Sequence, residues 1–336
     1  MKKRVFSGTR ATGRLHLGNY LGAVKGYIAL QNDPSYECVY MAVDVHTVTT
    51  PFDPKTLQTA TRDIIMDYLA AGLDPGKAII TKQSLVPEHT ELAFLFSSVM
   101  NVARLQDLPT FKEKIRQHPQ SVTMALLNYP MLMAADILIY KAGLVPCGLD
   151  QEPHLEITRE VARKMNQAFG TDFPEVQRFV TEGQYVPSLA GEGKMSKSVE
   201  GSFINLTDDL DSIRKKIRQV QTETTSSGKQ LEKGTGINTL FELLRLFSQP
   251  EESAKFKRYL ELRSQYLSPQ GDFRFGLLKD ELSELIYQEL KPIREKRKEL
   301  ESKPEYVDQV IIVGAEKARV IASATVAEVK QKMGLG

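Results

Sequence analysis

Tryptophan is absent from the 336 residues, and cysteine occurs only twice, at Cys38 and Cys147. No C-x-x-C pair is present, which argues against a thiolate zinc site or an iron–sulfur cluster. Both cysteines stand in apolar stretches and read as buried free thiols of a reducing compartment. No run of 18 apolar residues occurs, so no membrane span is predicted. The opening "MKKRVFSG" is basic but has too few apolar residues before Ser7 and Gly8 for a signal peptide, and the expectation is a cytoplasmic protein. H-E-x-x-H is missing, and "HLEITRE" lacks a second histidine at that spacing, so metal-dependent hydrolysis is not expected. Charge of either sign is scarcely in excess, with a formal net of +2. That neither requires nor excludes nucleic acid, because a local basic face decides the matter.

What is present reads as an ordinary globular chain, long enough for one large domain plus a smaller one. "KRVFSG", "ECVYMAVDVHTVT" and "KAIITKQS" are β-favouring runs, ending at Ser7–Gly8, at Asp44–His46 and near residue 84. Helical patterns separate them in "GNYLGAVKGYIALQ" and "PKTLQTATRDIIMDYLAAGLDP". This β-α-β-α-β rhythm predicts an α/β fold with a doubly wound, parallel, Rossmann-like sheet, whose ligands lie beyond the carboxyl ends of the strands. Further helices follow in "EHTELAFLFSSVMNVARL", "NYPMLMAADILIYKAG" and "PHLEITREVARKMNQAFG". After the glycine- and serine-rich "PSLAGEGKMSKSVEGS", strands almost vanish. Helices are predicted over 208–220, 237–248, 251–266, 272–290 and 304–333, with a polar loop over 222–236. A boundary falls near residue 204, before a smaller all-helical domain.

Residues 7–22, "SGTRATGRLHLGNYLG", have the look of a phosphate loop at a strand end, with Gly8, Gly13, Gly18 and Gly22 and an embedded His16. The spacing fits neither G-x-G-x-x-G nor G-x-x-x-x-G-K-[ST]. On the residues alone, a histidine next to a helix start is more often a structural hydrogen-bonder. "GKMSKS", Gly193 to Ser198, reads alone as a solvated loop. A glycine-lined helix start would present free backbone N–H groups to phosphate, with Gly18 allowing close approach. His16 and Asn19 are candidates to hydrogen-bond phosphate or ribose. Lys194 and Lys197, with the Ser196 and Ser198 hydroxyls, supply cations and hydrogen-bonding groups. Gly191, Gly193 and Gly201 are candidate hinges.

In the helix "NYPMLMAADILIYKAG", Tyr129, Met133, Asp136 and Tyr140 recur at spacings of 4, 3 and 4 and share one face. Its other residues are almost all apolar, so the helix is predicted to be buried, and a buried Asp136 needs a partner. That partner is either internal, such as an Arg, a Lys or backbone N–H groups, or a ligand with a single N–H donor such as indole. Lys112 and Lys114 in "PTFKEK" read as a solvated helix face. His89 and His118 read as surface histidines. The basic helices "IRKKIRQ" (213–219) and "KPIREKRK" (291–298) read equally as nucleic-acid phosphate contacts and as solvated faces.

"HLGN" followed by "GKMSKS", with an α/β domain between and helices after, resembles the two signature motifs of class I aminoacyl-tRNA synthetases. The blocks "FSGTRATGRLHLGNYLGA", "VDVHTVT", "LNYPMLMAADILIYKA", "VPCGLDQEPHLEITREVA" and "GAEKARVIA" sharpen the resemblance to the tryptophanyl-tRNA synthetase family over nearly the whole chain. The resemblance implies that Asp136 recognises the indole N–H. Phe6, His46, Met133, Val145 and Cys147 would line the amino-acid pocket, with Tyr129, Gln151 and His154 around the amino and carboxylate groups. It implies ATP contacts from Arg10, Ala11, Thr12, Gly18, Asn19, Gly148, Leu149, Asp150, Val186, Lys194, Met195, Ser196, Lys197 and Ser198. The catalytic set would be Lys194, Lys197, His16, Asn19 and Lys114. It further implies Mg²⁺ held mainly by ATP rather than by a protein metal site, tRNA(Trp) as partner, and a homodimer. The implied domains are a catalytic domain over 1–204 carrying both motifs, a helical anticodon-side domain over 205–291, and C-terminal helices over 292–336 packing back on the catalytic domain.

The chain departs from the family at Arg10-Ala11, where Gln-Pro is usual, and at Leu149 in "GLDQ", where "GEDQ" is usual. Cys147 stands where valine is common. A tyrosyl-tRNA synthetase, a small-molecule nucleotidyltransferase and a non-catalytic tryptophan- or ATP-binding paralogue remain as alternatives.

Overall fold

A computed structural model describes residues 2–181, 183, 185–191, 193–197, 199–222, 231–232, 234–268 and 273–336. Ser198 and most of the polar loop 222–236 therefore lie outside the described residues. The chain divides into two compact units. Met1–Arg14, Lys25–Thr181 and Glu299–Gly336 form the first, and Leu15–Val24 with Glu182–Lys298 form the second.

The first unit is built on five parallel strands in the order β3-β2-β1-β4-β5. They are β1 (Lys3–Arg10), β2 (Tyr36–Val43), β3 (Ala78–Lys82), β4 (Leu144–Pro146) and β5 (Gln177–Phe179). Cys38 to Val43 on β2 are all buried, as a strand covered on both faces requires. β4 and β5 have three residues each, too short to leave a pattern in the sequence. The order of strands reverses between β1 and β4, the place where a doubly wound sheet opens a ligand crevice.

Two strand ends differ from the expectation. β1 runs on to Arg10, paired with Val43 of β2, so Arg10 is the last strand residue and not part of the following loop. β2 stops at Val43, and residues Val45–Thr49 form a 3-10 turn. Asp44 ends the strand by accepting the Ser84 N–H at 2.9 Å and its hydroxyl at 2.6 Å. The β-favouring side chains "VHTVT" are thus carried into a turn, which swings His46 over the strand ends.

The helices of this unit begin with α2 (Lys25–Asn32), after α1 (Leu17–Asn19) of the second unit. They continue with α3 (Pro54–Ala71), α4 (Glu88–Ser97), α5 (Val102–Gln106), α6 (Pro109–Gln117), α7 (Met124–Leu138) and α8 (Glu152–Phe169). α3 is capped by the Asp53 carboxylate on the Lys55 N–H at 2.9 Å and closed by Gly72 at φ 112°. α7 is capped by Thr123 and is buried along most of its length, as its composition predicts.

The second unit carries α9 (Leu210–Gln219), α10 (Gly236–Phe247), α11 (Ala254–Leu267) and most of α12 (Phe275–Glu301). α12 passes through Pro292 instead of ending before it, because its buried stripe Leu278, Leu282, Ile286, Leu290 and Ile293 continues without a break. Arg297 is only 2 % exposed, so the basic stretch over 291–298 is partly buried. Arg294 lies over the Tyr287 ring, 3.9 Å from its centre.

The last helix, α13 (Pro304–Lys332), packs on β3 in the first unit. The buried Thr81 hydroxyl donates to the Ile311 carbonyl at 2.8 Å. A methyl group at Gly314 would sit 2.0 Å from the Ile80 carbonyl oxygen, against backbone that cannot rotate away. Gly314→Ala is therefore expected to destabilise the protein by about 2–3 kcal/mol, read as a lowered thermal midpoint. An unchanged midpoint would show that helix and strand can separate freely. Among the described residues, no helix is long and apolar enough to cross a membrane.

Candidate active site

The first unit holds a cavity of about 290 Å³ at the carboxyl ends of β1, β2 and β4. Phe6, Val145, Cys147, Met133, Leu126 and Ile137 form apolar walls, and Arg10, His46, Lys114, Tyr129, Asp136, Gln151 and His154 supply polar groups. Phe6 stacks on Tyr140, with ring centres 5.6 Å apart and planes 12° apart. Gly8 lines the cavity beside Val43, and a methyl there would stand 2.6 Å from a Val43 methyl.

Asp136, 2 % exposed, has internal partners. Its Oδ2 is 2.8 Å from His46 Nε2, and its Oδ1 is 2.5 Å from His89 Nδ1. Gln83 Nε2 donates to the same Oδ1 at 2.6 Å. His89 is wholly buried and makes a second contact, from Nε2 to the Tyr140 hydroxyl at 2.8 Å. The expectation of a surface histidine at 89 is thus overturned. No pattern of spacing could have linked Gln83, His89 and Asp136, since the turn after β3, α4 and α7 meet only in the fold. Burial works to raise the Asp136 pKa, but pairing with His46 and then His89 outweighs it and holds the carboxyl below its ordinary range. A carboxylate is therefore present at neutral pH.

At the polar side, the Thr110 and Tyr129 hydroxyls are 2.7 Å apart, and Tyr129 is 2.9 Å from His154 Nε2. His154 Nδ1 is buried with no hydrogen-bond partner. Burial lowers the His154 pKa, with Asp150 opposing and His46 adding to the shift, so the ring is neutral at neutral pH. Arg10 gives one Nη2 hydrogen bond to Thr50 at 2.9 Å, while its Nε is buried and unpartnered. Burial lowers even the guanidinium pKa. Lys114 reaches the cavity and contacts Gln117 at 2.7 Å.

Several expected residues lie beside this cavity without lining it. Ala11 is buried and Thr12 exposed just beyond β1. Gly148, Leu149 and Asp150 form the turn into α8, with Leu149 63 % exposed. Asp150 accepts from Gln151 at 2.9 Å.

The two sequence motifs come together in the second unit. The Leu17 N–H donates to the Ile204 carbonyl at 2.8 Å, tying the "HLGN" turn to the segment after the lysine loop. A methyl at Gly18 would stand 3.2 Å from Met195 Cβ, so the motifs touch through a glycine that must stay small. Met195 is buried and its N–H donates to the Val186 carbonyl at 2.8 Å, while Pro187 and Lys194 form a bridge. The Ser202 hydroxyl bonds the Ser196 carbonyl and closes the loop. Gly193, at φ 100°, takes a backbone form that few other residues adopt.

The turn does not offer the free helix-start N–H groups expected of it. Gly18 N–H is taken by His16 Nδ1 at 3.0 Å, and Asn19 N–H by the His16 carbonyl at 2.9 Å. Asn19 Oδ1 in turn accepts the His16 N–H at 3.2 Å. His16 and Asn19 thus first hold one another, in a reciprocal cap of a three-residue helix. Burial lowers the His16 pKa to about 4, and the charges of Lys197 and then Lys194 add to the shift. The imidazole is therefore neutral, as its acceptor role at Nδ1 requires, and its Nε2 carries the proton.

A parallel sheet with its cavity at the reversal of strand order, and a histidine–glycine turn seated on a KMSKS loop, define the class of ATP-dependent enzymes that charge tRNA. The family model described as tRNA synthetases class I (W and Y) matches residues 1–273. The chain belongs to this family, among its tryptophan–tRNA ligases. It is 40 % identical over 340 residues to the tryptophan–tRNA ligase of Rickettsia conorii, covering 99 % of each chain. It is 39 % identical over 343 residues to that of Helicobacter pylori, again covering 99 % of each. The tryptophanyl-tRNA synthetase structure from Mycoplasma pneumoniae is similar with a TM-score of 0.86 and 30 % identity, over 100 % of this chain and 99 % of that one. The Campylobacter jejuni enzyme, in complex with ADP and tryptophan, is similar with a TM-score of 0.82 and 30 % identity, over 99 % of this chain and 100 % of that one.

Proposed function

We propose that the protein is a tryptophan–tRNA ligase, which activates L-tryptophan with ATP and transfers it to the 3′ end of tRNA(Trp). The observation that carries the substrate assignment is Asp136, an ionised carboxylate at the wall of an apolar cavity. An ionised carboxylate offers about four acceptor positions, and three here are filled by His46, His89 and Gln83. The fourth suits one N–H donor, and the apolar walls suit the indole ring that carries it. Such a site rejects a ligand without that donor far more strongly than one differing by a methylene.

In the first step the tryptophan carboxylate, ionised without help from a general base, attacks the ATP α-phosphorus. An O–P bond forms as the bond to pyrophosphate breaks and pyrophosphate leaves; Mg²⁺ held by the ATP phosphates would offset charge on it. Lys194 and Lys197 stabilise the charge gathering on it, and Lys114 is assigned to the ATP phosphates by its place in the family motifs. The 2′-hydroxyl of the terminal ribose then attacks the aminoacyl carbon and AMP departs. Ala11, Thr12, Gly148, Leu149, Asp150 and Val186 are assigned to ATP by their place in the family motifs. The enzyme acts in the cytoplasm as a homodimer under this reading, and light scattering in solution tests the latter.

ATP–pyrophosphate exchange with tryptophan and tyrosine added separately tests the assignment. Exchange with tryptophan is expected, and exchange with tyrosine alone would overturn it. Arg10 gives a second test, because its guanidinium has an unsatisfied Nε in a cavity where a carboxylate meets a phosphate. Arg10→Ala is expected to lower kcat/KM by about 10–100-fold, the size of a charged hydrogen bond. An effect below twofold would place Arg10 outside the reaction.

A further inference from the structure

The two groups that hold Asp136 from behind, Gln83 and His89, do not line the cavity, and they are 1 % and 0 % exposed. Both bond Oδ1, at 2.6 and 2.5 Å, whereas the cavity-lining His46 bonds Oδ2 at 2.8 Å. With Oδ1 filled by two donors, the carboxylate is fixed in rotation and its remaining acceptor position lies on Oδ2, beside His46. We propose that His89 is a positioning residue for substrate selection: it sets which Asp136 oxygen meets the ligand, and so limits the pocket to a single N–H donor. The inference rests on the tryptophan reading of the cavity and deepens it.

The tautomer follows from the partners. An ionised carboxylate only accepts, so His89 Nδ1 must donate to it. In a neutral ring Nε2 then carries a lone pair and accepts the Tyr140 hydroxyl proton across 2.8 Å. Tyr140 is itself buried and stacked on Phe6, a wall of the cavity. A Tyr140–His89–Asp136 chain therefore runs from behind the pocket to the acceptor oxygen. Without His89, Oδ1 regains a free acceptor position and the carboxylate can turn. The loss should fall on ligands that use the N–H and spare those that only fill the cavity.

The test compares tryptophan with 3-benzothienylalanine, in which sulfur replaces the indole N–H, in ATP–pyrophosphate exchange. The wild type is expected to favour tryptophan strongly; absence of that preference would refute the tryptophan reading itself, before any variant is made. His89→Leu is expected to lower kcat/KM for tryptophan about 30-fold, mainly through KM, and to change the sulfur analogue less than twofold. His89→Asn places an amide N–H near the former Nδ1 and should restore most of the discrimination. Tyr140→Phe leaves Nε2 without its partner and loosens the ring behind Asp136, and should cost tryptophan about threefold with the analogue unchanged. Equal losses for both substrates would mean a merely structural histidine and would overturn the proposal, as would no loss for tryptophan. If His89→Leu does not fold, the Asn and Phe variants decide: selectivity identical to wild type in Tyr140→Phe, together with equal losses for both substrates in His89→Asn, overturns it.

Discussion

Replacing Lys194 and Lys197 together with alanine is expected to slow tryptophan-dependent ATP–pyrophosphate exchange by roughly 10³-fold or more, while tryptophan affinity stays within about twofold. The two ammonium groups sit on either side of Met195, whose buried side chain anchors their loop against the "HLGN" turn. Their charge is already felt at the His16 ring, whose pKa they help to depress. A cation that meets charge developing on a leaving group acts on the transition state more than on the bound substrate. Each removed contact of this kind typically costs 10²–10³ in rate, and the pair is expected to exceed either alone. The amino-acid cavity is built wholly from the first unit and the lysines belong to the second, so binding measured by calorimetry should be spared. A variant that retained exchange within tenfold would remove the lysines from the catalytic set.

The second large effect is expected from Asp136→Asn, which keeps the shape and removes the charge. An amide has one oxygen in place of two, so it cannot accept from His46, His89, Gln83 and a ligand N–H at once. At least one buried donor is left without a partner, and an amide N–H₂ is turned toward groups that are donors themselves. Loss of about 10³-fold in kcat/KM for tryptophan is expected, with a drop in stability of about 2–4 kcal/mol. Pairing with His46 and then His89 depresses the Asp136 pKa against the opposing effect of burial, so its contribution is present above the ordinary carboxylate range. That contribution fades as pH falls through the folded-state value. In Asp136→Asn this part of the acid destabilisation should be absent, so the stability difference from wild type should narrow below about pH 4. A constant difference across pH would show that Asp136 is not the titrating group.

Much of the site could be read from the chain alone. The periodicity of "NYPMLMAADILIYKAG" placed Tyr129, Met133 and Asp136 on one face and marked the helix as buried, because a 3.6-residue repeat is a local property, although α7 ends at Leu138 and leaves Tyr140 beyond it. The strand–helix alternation through residue 84 likewise predicted the parallel sheet, and with it a ligand site at the carboxyl ends of the strands. The three-residue strands β4 and β5 carried no such signal, since a period of two needs more residues to be visible. The expected free N–H groups of the "HLGN" turn are taken up mainly within the turn, Gly18 and Asn19 by His16, and only the Leu17 N–H finds a distant partner, Ile204, which no local pattern identifies.

The sequence by itself determined the residue types: a buried carboxylate on an apolar helix face, a histidine–glycine turn, and a lysine–serine loop after the α/β segment. Tertiary structure alone decided their partners. It brought Gln83 from the turn after β3 and His89 from α4 to Asp136 on α7, and turned a supposed surface histidine into a wholly buried one. It also moved Arg10 from a nucleotide loop to the cavity wall, and seated Met195 against Gly18. The physical reason is the range of the forces involved. Backbone preference and hydrophobic period act over a few residues, whereas a buried polar group is satisfied by whatever the fold places within 3 Å of it.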